Sequence, residues 1–183
     1  MRIFYKDFLH ITCFAHGLHL LCETVREEYP KVNALVANMK SVLSYSKVRK
    51  DLYQTVLEGA ALPPKPVITH WGTFLNTALH HLKHFDKIKS FVSKIESKAA
   101  DCTSLRSLID DPELEVQLNL IQRFSVVPGA ITELESQSIS MDKQLAVPRS
   151  IQSGLSGRFA SRLEEILKQS RFQAAARNFR KTR

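Results

Sequence analysis

The chain has 183 residues, 44% of them hydrophobic and 24% charged, which is enough for one domain with a core of its own. It holds no run of about 18 apolar residues and so no expected membrane span. Its start, Met1 to Asp7, lacks the apolar stretch of a signal peptide, and its three scattered cysteines (Cys13, Cys22, Cys102) read as reduced thiols in an intracellular protein. The net charge of +8 is uneven. Residues 158–183 carry 8 of the 26 Lys/Arg and 2 of the 18 Asp/Glu, a surplus of +6; the other residues, with 18 basic and 16 acidic groups, hold +2. Such a tail is either a solvated, partly disordered end or a contact for polyanions whose strength falls with salt.

Residues 3–13 are apolar and β-branched, and no second β-run follows, so the segment is either helical or an orphan strand. The spacing of Leu18, Leu21, Cys22 and Val25 predicts a helix from about Ala15 to Glu28, stopped by Tyr29-Pro30. Pro30 suits the first turn of the next helix, whose inward face is Val32, Leu35, Val36, Met39, Val42 and Leu43. Residues 59–66, with Pro63, Pro64 and Pro66, form the clearest linker. A single long spine helix is expected from Thr69 or Trp71 to Ile95, striped by Trp71, Phe74 or Leu75, Ala78, Leu82, Phe85, Ile88, Val92 and Ile95.

Ala99 to Thr103 reads as a loop and Leu105 to Asp110 as a short helix. Asp111-Pro112 then supplies a cap and first-turn proline for a helix facing inward through Leu114, Leu118, Ile121 and Phe124. Val127-Pro128-Gly129 breaks it, and a short helix with Ile131 and Leu134 follows. A Ser-rich stretch runs from Ser136 to Ser140, and Val147-Pro148 and Gly154 with Gly157 read as loops. A last helix from about Leu155 turns Phe159, Leu163, Ile166 and Leu167 inward, and its register fades after Ser170.

Two clusters invite a metal. Cys13, His16, His19 and Cys22 are each three residues apart, so on a helix they fan over about half the cylinder and cannot all reach one tetrahedral ion. Cys13 and His16 share one face and could give two ligands, but no good second pair is visible; a buried thiol and a hydrogen-bonded core histidine fit better. His80 and His84 are four apart without a third ligand, and with Lys83 and Lys87 they read as a solvated basic face, with His81 near the apolar stripe. Neither metal nor cofactor is expected. Trp71 reads as the aromatic anchor of the spine helix.

C-x-x-H-G-L-H-L followed by P-P-x-P-V-x-T-x-W-G-T resembles the central part of hAT-superfamily transposases, and more narrowly their domesticated or decayed animal relatives. The matching residues are Cys13, Ala15, His16, Leu18, His19, Tyr29, Pro30, Pro63, Pro64, Pro66, Val67, Thr69, Trp71, Gly72 and Thr73. The two blocks at this separation are far more specific than C-x-x-H alone. The resemblance implies a bracing role for Cys13 and His16 and a place near the active site for Trp71, where it would stack on an extruded base. His70 stands where the family has an arginine. It also implies three carboxylates on an RNase H-like core holding two metal ions. Two of those lie upstream of C-x-x-H in the family, and only Asp7 precedes Cys13 here.

The expectation is therefore a mainly α, non-catalytic helical bundle like the insertion region of such a transposase, over residues 1–157, with 158–183 a helix running into a basic tail. It would act, in the nucleus, as a nucleic-acid or protein-interaction module. Arg171, Arg177, Arg180, Lys181 and Arg183 would contact phosphates without reading sequence. A protein partner or a homodimer is compatible; a membrane or a small-molecule substrate is not expected. The rivals are a non-functional fragment of a larger transposase-like protein and, last, an active metal-dependent transposase or nuclease.

Overall fold

The computed structural model describes residues 14–67, 72–136, 141–152 and 154–168. The segment 3–13 lies outside these residues, so the choice between helix and strand is not made there. Among the described residues the fold is all helix, with no strand and no sheet, and no helix is long and apolar enough to cross a membrane.

Helices α1 (Phe14–Glu28) and α2 (Pro30–Ser44) meet at Tyr29, as the proline signal predicts, with Pro30 in the first turn. All six inward residues of α2 are buried. α3 (Lys47–Val56) follows after a cap in which Ser46 Oγ accepts the Arg49 N–H at 3.2 Å. Residues 60–66 then run without regular structure to α4 (Gly72–Lys83).

α4 is the centre of the bundle, packed against α1, α2, α7 and α8. The expected spine is nevertheless two rods, because the helix breaks at His84 before α5 (Phe85–Ser93). No proline or glycine marks the bend. It lets Phe85, Ile88, Phe91 and Val92 turn onto α3 and α6, with Phe91 edge-on to Tyr53 at 5.2 Å between ring centroids. The predicted stripe runs straight through, since a one-residue interruption leaves the inward spacing unchanged.

α6 (Ala100–Ile109) corrects the expected loop at 99–103: Cys102, Leu105 and Ile109 form one buried face at helical spacing. Its start carries no side-chain cap to betray it. α7 (Pro112–Ile121) begins as expected, with Asp111 Oδ1 accepting the Glu113 N–H at 2.9 Å. Asp111 also takes Lys31 Nζ at 2.5 Å, and that partner holds its carboxyl below the usual range. A 3-10 turn (Gln122–Phe124) leads to α8 (Val127–Glu135), where Pro128 opens the helix.

α9 (Met141–Gln152) runs through Pro148, which corrects the loop expected there. An interior proline costs a backbone bond, about 3 kcal/mol, and burial of Val147 and Ile151 against α8 and α1 offsets it. A last helix over 158–168, α10, turns Phe159, Leu163, Ile166 and Leu167 into the same core. Phe159 stacks on Tyr29 and meets Phe124 edge-on at 4.9 Å, so α10 is bound to the body through an aromatic trio.

Candidate functional site

Two stretches far apart in sequence, one around His19 and one around Gly72, meet in space. His19 Nδ1 accepts the Gly72 N–H at 3.3 Å. That fixes the ring's proton on Nε2, which reaches Glu135 Oε1 at 3.2 Å. One imidazole thus pins α1 to the start of α4 and to the end of α8. Glycines leave room at two close approaches, Gly17 toward α10 and Gly72 toward α8. A Cβ on Gly17 would stand 2.3 Å from Ile166 Cγ2, and one on Gly72 would stand 2.9 Å from Ile131 Cδ1. Thr73 Oγ1 accepts the Val67 N–H at 2.8 Å, and the Thr77 hydroxyl donates to Pro64 O at 2.8 Å, so the proline segment is strapped to α4.

The expected Cys13–His16 pair is not a buried pair. Cys13 lies outside the described residues, and His16 is exposed. The inward face of α1 centres on Ala15, Leu18, Cys22 and Val25; His16, two residues before Leu18, is turned about 200° from it. Cys22 is buried, and burial pushes its thiol up to about 12. Among the described residues no three His, Cys, Asp or Glu side chains cluster to hold a metal ion. Trp71, His70 and the tail residues Arg171, Arg177, Arg180, Lys181 and Arg183 lie outside the described residues.

The second histidine cluster is a solvated face only in part: Lys83 is exposed and His84 and Lys87 are partly so, while His80 and His81 turn inward. His80 is half-buried, its Nε2 is 2.9 Å from the Tyr53 hydroxyl, and its ring lies 4.8 Å from that of His84. Burial, then the neighbouring His84 and Lys83 charges, push its pKa down to about 4. His81 is fully buried, and neither ring nitrogen has a hydrogen-bond partner among the described residues. Burial holds it down to about 3, so it is a neutral imidazole at pH 7 with one N–H and one lone pair unmatched.

His81 lines a pocket of about 130 Å³ between α2, α4 and the proline strap. Met39 and Leu43 form its inner wall, Leu62 and Pro63 its strap side. Lys40, Lys50 and Lys65 stand around it, and no carboxylate of the described residues lines it. Lys31, Lys87 and Lys89 each have a carboxylate partner, whereas Lys40, Lys47, Lys50 and Lys65 have none among the described residues. Tyr45, next to the lining residue Ser44, is 93% exposed.

Sequence reasoning missed this pocket. A signal existed for His81: it falls at Phe74, Ala78, His81, Phe85, spacings of four, three and four on the inward stripe. Nothing in the sequence places the lysines of α2, α3 and the strap around one opening. Compared with known protein families, curated proteins and solved structures, the chain matches none.

Proposed function

We propose that the protein is a non-enzymatic nucleic-acid-binding module, a helical relative of hAT transposases that works in the nucleus by holding phosphates rather than by cutting them. The observation that carries this reading is the group Lys40, Lys47, Lys50 and Lys65, without carboxylate partners among the described residues, beside the exposed ring of Tyr45. Cations that follow a backbone, with an aromatic face for an unpaired base, are the usual means of binding single strands without sequence preference. The surplus of +6 in residues 158–183 adds a second contact, through Arg171, Arg177, Arg180, Lys181 and Arg183. The pairing of His19 with Gly72 gives the two shared sequence blocks a common role in bracing, which supports the kinship.

The test is a titration of the full chain with a single-stranded oligonucleotide at rising salt. Affinity should fall linearly on logarithmic axes. Replacing Lys40, Lys47 and Lys50 by alanine should lessen that slope by about 2, at about 0.7 per phosphate contact. Neutralising the five tail residues should lessen it further. Binding that ignores salt, or none at low salt, rejects the reading.

A further inference from the structure

We propose that the proline strap, residues 60–67, is a ready-formed polyproline II ligand for the aromatic-lined, acid-flanked groove of an SH3-type domain. The backbone follows from the sequence. Pro63, Pro64 and Pro66 each have φ locked at about −65°. Leu62, Pro63 and Lys65 each precede a proline, which pushes them out of the helical region into extended backbone. Residues 62–66 are thus held near polyproline II, a helix of about three residues per turn with no hydrogen bonds inside it.

Burial along the strap has that same period. Ala60, Pro63 and Pro66 are partly buried, whereas Ala61, Leu62, Pro64, Lys65 and Val67 are exposed. A three-edged rod therefore lays one edge on its own bundle and turns two outward. Two edges are what a groove can touch on a rod. They carry Leu62, 37% exposed, and Val67, 49% exposed, with Pro64 and Lys65 between them. The Thr77 hydroxyl donates to Pro64 O and Thr73 Oγ1 accepts the Val67 N–H, so the strap is tied down before a partner arrives. A ligand ordered in advance loses less freedom on binding.

The walls and the flank of the groove follow from what the strap shows. Proline rings with Leu62 and Val67 offer apolar area on a stiff backbone, which is what aromatic-lined grooves recognise. Lys65 stands on an outward edge, and Lys40 and Lys50 lie beside the strap, each without a carboxylate partner among the described residues. An acidic flank complements that field, and a basic one would be turned away. A nucleic-acid strand would use the lysines but leave the apolar edge in water, so the edge favours a protein groove.

This inference does not rest on nucleic-acid binding, and the experiment keeps the two apart. The full chain is titrated into a panel of isotope-labelled SH3 domains with acidic grooves, and their groove signals are followed by NMR. At least one domain should saturate with a Kd of ~1 mM or tighter. The full chain should bind it at least as tightly as a synthetic peptide of residues 60–67. Pro64→Ala keeps the carbonyl that Thr77 holds but removes an outward ring, and should weaken binding about tenfold while the thermal melt stays unchanged. Lys65→Glu should weaken it about tenfold as well, and changing the acidic flank of the groove to lysine should restore binding to that variant. Neutralising the five tail residues should leave domain binding untouched. The proposal falls if no domain saturates by ~1 mM. It falls if the peptide binds and the full chain does not, since the strap then hides the edge that the groove reads. It falls equally if Pro64→Ala binds as the parent does, or if that change alters oligonucleotide binding alone.

Discussion

Helix α4 is finished differently on its two sides. Toward α1 and α8, Gly72 leaves room for the Ile131 side chain and the His19 ring, and His19 has a partner at each ring nitrogen. Toward α2 and the proline strap, the chain leaves a chamber, and the histidine that lines it has no partner at either nitrogen. Both histidines sit on helices and both are largely or wholly buried. One side is a joint; the other seals in an imidazole whose nitrogens stay unmatched among the described residues. Burial alone therefore does not say whether a polar residue is structural; the matching of its atoms does.

Several experiments would break or sharpen that contrast. The largest effect belongs on the closed side. Phe124→Ala removes the ring that meets both Tyr29 and Phe159, and should cost about 3–5 kcal/mol in chemical denaturation. A loss below about 1 kcal/mol would mean that α10 is not docked on this core. Next, Gly17→Ala drives a methyl group into Ile166 and should cost about 1–3 kcal/mol, the usual range for overpacking. If Ile166→Ala fails to rescue part of that loss, the close approach is not the cause.

The open side answers to acid. His81 has its folded pKa held down to about 3, against 6.5 for the free side chain. The unfolded chain therefore takes up its proton first, and stability present above pH 6.5 is lost as pH falls toward 3. The step from pH 6.5 to 5 should remove about 2 kcal/mol on account of His81. His80, pushed down to about 4, works in the same direction. His81→Leu should flatten that part of the profile. At pH 7 the same variant has the smallest expected effect, neutral or a gain of about 1 kcal/mol, because it removes unmatched polar atoms without opening a void. A loss above about 2 kcal/mol would show that His81 is matched after all and would erase the contrast between the two sides.

Much of the fold was legible before any coordinates. The six inward residues of α2 and the four of α10 follow from spacing alone. Tyr29-Pro30 and Asp111-Pro112 punctuate as their chemistry requires. The errors share one cause: local signals cannot see neighbours. Pro148 reads as a break, yet α9 continues through it because Val147 and Ile151 are buried. The helix at Ala100 starts without a side-chain cap, and the bend at His84 without a proline or glycine. His16 was placed on a buried face through its spacing from Cys13, while Leu18 and Cys22 set the face that α1 actually turns inward.

What the sequence settled by itself is the all-helical character of the described residues and the inward face of most helices. A period of three to four apolar residues leaves a helix little choice of which side to bury. What only the tertiary structure decided is the meeting of distant polar atoms. His19 finds Gly72 across 53 residues, while neither nitrogen of His81 has a hydrogen-bond partner among the described residues. Those outcomes depend on how helices from different parts of the chain are set against one another, and no local pattern encodes that.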